Sequence, residues 1–342
     1  MGPDQYAAFS VLSSSFEQII RNANSHRLFF VTGSAGVGKS FLLSAVEHNL
    51  KMRGLLYLKV APTGIAAVNI EGETIHSALS ITTSNYGNKS TSFMTSIFES
   101  EERQNELQKY SVLLVDEISM VSAELLDFMS STFSRIHKNG RPFGGICVVV
   151  FGDLLQLPPV VGQTVFKTPL WRQIFPLFLT HSRRQEGQPE FVQLLNEIRV
   201  GEISAKSWAE LTEIHQSYSI ASSLYQSTFI ISYRKAAQDL NRLVLSSIDS
   251  PCKVQYAIDR EGSTLLAIEQ SSKSFKAFTN LPDEVDIRIE ARVMFLDNSL
   301  IRLGISNGSI GIITEYDEEG QPKVAFPTIG GIEVNHHHAF YN

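Results

Sequence analysis

The chain has 342 residues, 43% of them hydrophobic and 19% charged, with a formal net charge of −6; this gives room for two or three folded domains and excludes the disordered and fibrous classes. Two cysteines, Cys147 and Cys252, exclude a disulfide framework and a cysteine-rich zinc site, and fit a reducing compartment. No apolar run reaches the roughly 18 residues of a membrane span, and the opening MGPDQYAAFS lacks the basic-then-apolar run of a signal peptide.

In chain order, His26 to Thr32 (HRLFFVT) is a short apolar run ending at glycines and predicts a strand. Lys39 to Arg53 has helical spacing, stopped by Gly54. Leu55 to Val60 is a second strand, ended by Ala61-Pro62. Ile81 to Lys109 is rich in Ser, Thr and Asn and then charged, and reads as an insertion. A strand at Ser111 to Val115, a helix over Ala123 to His137 and a strand at Gly145 to Phe151 follow. Short, wholly apolar strands alternating with helices predict a parallel sheet covered on both faces. A second alternation begins near Leu177: PLFLT as a strand, Glu190 to Val200 and Ala205 to Ile214 as helices, TFIIS (Thr228 to Ser232) as a strand, and Lys235 to Ile248 as a helix. From about Asp286 the runs RVMFL, SIGIITEY, PKVAF and GIEVN are short and β-rich, as in a small barrel or sheet, and Asn307-Gly308 between them is a tight-turn signal.

The acidity is uneven. Residues 1–180 carry 14 Lys+Arg and 14 Asp+Glu, whereas residues 181–342 carry 15 and 21. Net charge governs solubility and long-range steering rather than the sign of a local groove, so it does not exclude an anionic partner.

Gly33-Ser34-Ala35-Gly36-Val37-Gly38-Lys39-Ser40 matches G-x-x-x-x-G-K-[ST] between a predicted strand and a predicted helix. Glycines let backbone N–H groups curl around phosphate oxygens, and the helix N-terminus adds positive potential. Lys39 would neutralise the β and γ oxygens, and the Ser40 hydroxyl can ligate Mg²⁺. The run VLLVDEIS delivers Asp116 and Glu117 to a strand's carboxyl end, where open α/β sheets place ligands. Asp116 would hold Mg²⁺ through water and Glu117 would act as general base; the competing reading is a helix-capping acidic pair. In Gly152 to Val160 (GDLLQLPPV), Gln156 is placed to sense a γ-phosphate, although Gly-Asp and Pro-Pro are also plain turn chemistry.

In the order GSAGVGKS, APTGIAAVNIEGETIHSAL, LLVDEISM and FGDLLQLPPV, the sequence resembles the superfamily-one DNA helicases of the Pif (petite integration frequency) and RecD branch, the Pif helicases above all. The resemblance implies an α/β P-loop NTPase of two RecA-like parallel-sheet domains with a small β-rich SH3-like segment. It implies a first ATP-binding domain over 1–176 with an insertion at 81–109, a second, incomplete domain over 177–285, and the SH3-like segment over 286–342. ATP and Mg²⁺ are the implied cofactors, with Gln5 at the adenine and Gly33 through Ser40 and Phe41 around the nucleotide. Pro62, Thr63, Gly64, Thr74, His76 and Ser77 are implied to line a single-strand path, a role suited to hydroxyls, an imidazole and bare N–H groups that hold phosphates without reading sequence. For His76 the plainer reading is a core or capping histidine, and for Gln5 a frayed terminus. Arg184, in LTHSRRQ, matches the family arginine that reaches the γ-phosphate, and IRVG (Ile198 to Gly201) matches the segment that follows it.

The implied activity is ATP-driven 5′-to-3′ translocation and unwinding in repair, recombination or telomere maintenance. The implied partners are single-stranded DNA and DNA junctions, with no membrane, acting as a monomer. Residence would be nuclear or mitochondrial in a eukaryote and cytoplasmic otherwise, without secretion. The family's T-x-H-K-x-Q-G and A-L-S-R motifs are missing, so the alternative expectation is an ATP- and DNA-binding module that does not unwind. A small-molecule kinase fits the phosphate loop but not the PTG…TIHS stretch. His336-His337-His338 cannot all face one metal from a strand, since neighbours alternate faces.

Overall fold

The computed structural model describes residues 1–21, 23, 25–86, 90–183, 187–217, 228–256, 260–261, 264–265, 284–296, 300, 303–305, 308–318, 320–327, 332–335 and 340–341. The chain divides into two compact units, Met1–Glu213 and Ile214–Asn342.

The first unit begins with helix α1 (Pro3–Ile20), strand β1 (Leu28–Thr32), helix α2 (Lys39–Met52) and strand β2 (Tyr57–Ala61). Short helices α3 (Gly64–Asn69) and α4 (Ile75–Ala78) flank β3 (Glu73–Thr74). The insertion is a hairpin of β4 (Ile81–Tyr86) and β5 (Ser90–Thr95), followed by helix α5 (Glu101–Gln108), which Ser100 caps. Then come β6 (Val112–Val115), α6 (Ala123–Ile136), β7 (Cys147–Gly152), β8 (Phe175–Phe178), α7 (Pro189–Val200) and α8 (Ala205–Ser217).

One parallel sheet, ordered β3-β2-β6-β7-β1-β8, organises this unit. Every residue of β1, β6 and β7 is buried, which is why these strands are continuous apolar runs rather than alternating ones. Alternate residues serve opposite faces. Leu28, Phe30, Leu113, Val115, Val148 and Val150 pack with Leu126, Met129 and Phe133 of α6. Phe29, Val31, Leu114 and Val149 pack with Leu12 and Phe16 of α1 and Leu42, Val46 and Leu50 of α2. Each large apolar side chain so buried contributes about 1.5–3 kcal/mol. Because the strands are parallel, Thr32, Ala61, Thr74, Val115 and Gly152 all end at one edge of the sheet.

The strand expected to open a second alternation at Leu177 instead joins the first sheet: Phe29 to Thr32 pair in parallel with Phe175 to Phe178. Pro176, which has no N–H to give a ladder, suits the outer position that β8 takes. Strand type was readable from the apolar run, but its neighbour was not.

In the second unit a helix spans Arg234–Ser246. Strand β9 (Lys253–Tyr256) pairs with β12 (Glu284–Ile287), and β10 (Arg260–Glu261) with β11 (Thr264–Leu265). Strands β13 (Arg292–Phe295), β14 (Ile310–Tyr316), β15 (Pro322–Phe326), β16 (Ile332–Asn335) and β17 (Phe340–Tyr341) form one antiparallel sheet in the order β16-β15-β14-β13-β17. Phe295, Ile305, Ile313, Val324 and Phe326 build its core. Among the described residues of this unit every strand pair is antiparallel. The run Thr228 to Ser232, expected as a strand, is not one: Ile230 is 100% exposed, and an apolar run becomes a strand only where a partner accepts its ladder. Asn307 and His336 to His338 lie outside the described residues. Among the described residues no helix is long and apolar enough to cross a membrane.

Candidate nucleotide and nucleic-acid site

The loop after β1 carries the phosphate motif. Gly36 and Gly38 have φ of 82° and 85°, the left-handed region that glycine adopts without strain. Gly38 caps α2, and a Cβ there would lie 2.3 Å from Gln5 Nε2. A Cβ on Gly33 would lie 2.3 Å from the Leu179 carbonyl oxygen. Glycine is therefore required for packing as well as for turning. Lys39 Nζ donates to the carbonyls of Gly33 and Ser34 at 2.8 and 3.0 Å, folding the ammonium back over its own loop. Burial pulls Lys39 below its ordinary pKa; Asp153, Glu117 and Asp116 oppose that shift and Arg199 adds to it. Ser40 and Phe41 are exposed at the start of α2.

Gln5 is buried, not frayed: its Oε1 accepts from Gly2 N–H at 2.9 Å and its Nε2 donates to Val37 O at 3.0 Å. The first turn of α1 thus rests on the phosphate loop. Asp4 accepts from the N–H groups of Thr180 and His181 at 2.8 and 3.1 Å, and lies 3.2 Å from His181 Nδ1. Burial would raise the Asp4 carboxyl, but the His181 and Thr180 N–H groups dominate and hold it well below the usual carboxylate range. The segment after β8 runs beside the loop, with Leu179 N–H donating to Thr32 O at 2.7 Å and Arg183 N–H to Gly36 O at 2.8 Å. Arg184, the next residue, lies outside the described residues.

Asp116 and Glu117 follow β6. Asp116 is buried, and its Oδ1 accepts the Glu117 N–H at 3.0 Å. Burial raises the Asp116 carboxyl, with the Glu117 N–H and Lys39 working against it. Glu117 takes φ 50° and ψ 47°, a left-handed conformation that costs a non-glycine residue on the order of 1 kcal/mol. Burial raises its carboxyl, and Asp116 and Asp153 add to that while Lys39 opposes it. A short 3-10 turn, Ile118–Met120, starts directly after Glu117, but the Glu117 side chain makes no capping hydrogen bond to it, and the next helix, α6, is capped by Ser122. Ser40 and Asp116 offer hard oxygen donors, and among the described residues no group of three or more His, Cys, Asp or Glu forms a dedicated metal cage. Hard oxygen donors of this kind are the type that Mg²⁺ takes alongside waters and phosphate oxygens.

Asp153 follows β7 and is 1% exposed. It was not anticipated from the sequence, where Gly152-Asp153 read as turn chemistry. Arg199 of α7 chelates it, Nε to Oδ2 at 2.7 Å and Nη2 to Oδ1 at 2.6 Å. Asp153 also accepts the Leu155 N–H at 3.2 Å, its carbonyl accepts the Gln156 N–H at 2.9 Å, and Gln156 Nε2 reaches its Oδ2 at 3.5 Å. Burial would raise the Asp153 carboxyl, yet the Arg199 hydrogen bonds hold it low. The one sequence signal for Arg199 was its place in IRVG.

The stretch expected to hold a strand lies at the ends of β2 and β3. Pro62, Thr63, Gly64, Thr74 and His76 are half-buried, and Ser77 is exposed. Thr63 Oγ1 caps α3 by accepting Ala66 N–H at 3.3 Å, and Thr74 Oγ1 caps α4 by accepting Ser77 N–H at 3.1 Å. A capping hydroxyl accepts with a lone pair and keeps its O–H to donate outward. Burial pulls His76 below its ordinary pKa, which favours the neutral imidazole.

Comparison with known proteins matches residues 10–208 to the family described as PIF1-like helicase. ATP-dependent DNA helicase PIF1 of Danio rerio is 28% identical over 335 residues, covering 94% of this chain and 50% of that protein. The protein of the same name from Saccharomyces cerevisiae strain YJM789 is 32% identical over 320 residues, covering 89% of this chain and 36% of its own length. This chain therefore spans half or less of these relatives. Among solved structures, Pif1 helicase from Candida albicans superposes with a TM-score of 0.69 at 22% identity, over 98% of this chain and 78% of that one, a likeness of fold. Pif1 helicase from Bacteroides in complex with ADP-AlF3 and ssDNA gives 0.65 at 26% identity, over 94% and 73%.

Proposed function

The chain belongs to the PIF1-like helicase family, and we propose that it is an ATP-dependent DNA helicase that moves 5′ to 3′ along single-stranded DNA. The observation that carries this reading is one sheet edge with two adjoining surfaces. Lys39, Asp116, Glu117 and Asp153 with Gln156 gather at the ends of β1, β6 and β7, and residues 62–64 and 74–77 sit beside them at β2 and β3. A nucleotide-dependent shift at the first surface is thereby one strand away from the second.

In this reading the phosphate loop and Lys39 bind the triphosphate, and Gln5 holds the loop against α1 beside the adenine. Ser40 and Asp116 would hold Mg²⁺, which when bound supplies charge to the phosphate oxygens. Glu117, raised by burial, takes a proton from the attacking water, and Gln156 with Arg184 reports the γ-phosphate. Thr63, Gly64, Thr74, His76 and Ser77 hold strand phosphates without reading bases. Roles in repair, recombination and telomere maintenance, action at junctions, and nuclear or mitochondrial residence extend the same proposal.

Strand displacement tests it. With ATP and Mg²⁺, the chain should release the labelled strand of a duplex carrying a 5′ single-stranded tail and leave the 3′-tailed duplex intact. Binding of both substrates with release of neither would identify a non-unwinding module instead.

A further inference from the structure

Helix α7 is held to the first unit in an unusual way. Among its described residues Leu194 alone is buried, while Phe191, Leu195, Ile198 and Val200 are exposed. Its firmest tie is Arg199, whose guanidinium grips both oxygens of Asp153. A two-point chelate fixes direction as well as distance. Asp153 needs that partner, since an uncompensated carboxylate at 1% exposure is strongly unfavourable.

Asp153 is also the origin of the turn that carries Gln156, through its own carbonyl and carboxylate. Its charge is felt at Lys39 and at Glu117, and that of Arg199 at Lys39. We infer that Arg199 and Asp153 are positioning residues for the γ-phosphate sensor, tying the place of α7 to the place of the Gln156 amide. This rests on the nucleotide-binding part of the function proposed above. Rotation of α7 would drag the chelated carboxylate, and with it the turn from Asp153 to Gln156. Conversely, an amide engaged on a γ-phosphate would hold α7 in one orientation.

The test compares affinity for ADP and for the γ-phosphate analogue ATPγS, both with Mg²⁺, by calorimetry on the full chain. Arg199→Lys is the working variant because it keeps the charge that compensates Asp153 while losing the two-point geometry; a thermal melt verifies its fold. Gln156→Ala should lower the preference for ATPγS over ADP about tenfold, as expected for one hydrogen bond to a charged group. Arg199→Lys should lower the same preference several-fold with ADP affinity unchanged. The double variant should fall no further than Gln156→Ala alone, since both act through one amide. A preference unmoved in Arg199→Lys, losses that multiply in the double variant, or equal losses for ADP and ATPγS would each overturn the inference. So would a Gln156→Ala chain that discriminates as well as the parent. A chain that shows the expected preferences but displaces no strand would retain the positioning pair and lose the helicase reading.

Discussion

Glu117 sits in a left-handed conformation that an acidic residue adopts only at a cost, two residues past the end of a strand whose every residue is buried. The conformation turns the chain out of the strand immediately after Asp116. Glu117→Gln should keep ATP affinity within about twofold and cut hydrolysis at least about a hundredfold, the usual weight of a general base. Calorimetry and phosphate release measure the two; undiminished release would remove Glu117 from that role. Thr74 and His76 lend themselves to a different test. The first is a hydroxyl, and the second an imidazole that burial pulls below its ordinary pKa, toward its neutral form. Replacing either by Ala should weaken single-strand binding but leave the slope of log affinity against log salt unchanged, since that slope counts charges that displace counterions. Fluorescence anisotropy over a salt series reads both quantities. For Thr74→Ala the loss of the cap also costs about 1 kcal/mol of stability, which Thr74→Ser should restore.

At the scale of elements, α2 carries the phosphate loop and is tied to β2 by Glu47. Its carboxylate accepts from Tyr57 Oη at 2.8 Å and Lys59 Nζ at 3.0 Å, and pairs with Lys51 at 2.7 Å. Burial would raise this carboxyl, but Lys51, Lys59 and Tyr57 outweigh it and hold the pKa at about 2, against an ordinary 4.5. A lowered folded pKa stabilises the fold above the unfolded value and is lost as pH falls through the folded one. Denaturation curves should therefore show this contribution intact above about pH 4.5 and fading toward pH 2. Glu47→Gln should cost about 1–2 kcal/mol at pH 7 and flatten that part of the acid limb; an unchanged limb would assign the acid sensitivity elsewhere. Elements were legible from sequence where burial is two-sided. The strands β1, β6 and β7 are unbroken apolar runs because both faces are covered. PLFLT had the same signature, yet pairing is a long-range property, and it joined the first sheet beside β1. TFIIS had it too and found no ladder.

Over the whole molecule, the phosphate loop was readable residue by residue because its chemistry is local: glycines, a lysine and a hydroxyl in one contiguous turn. The Asp153–Arg199 pair was not, because its members are 46 positions apart and each alone looks like a turn acid or a surface base. Gln5 lay between these cases. The family resemblance suggested an adenine contact, and only the packing of α1 on the loop places it against Val37. Residues 1–180, which hold the phosphate loop and the acids, carry 14 basic and 14 acidic residues, while the net acidity collects in residues 181–342. In the proposed function, nucleotide turnover at the β1–β6–β7 edge is coupled to a strand held at β2 and β3. Steady-state phosphate release with and without single-stranded DNA, for the parent chain and for Lys39→Ala, tests it most directly. Release should rise with added single strand and fall at least about a hundredfold in Lys39→Ala, as expected when a triphosphate clamp is lost. Release indifferent to DNA, or a Lys39→Ala rate equal to the parent's, would contradict it.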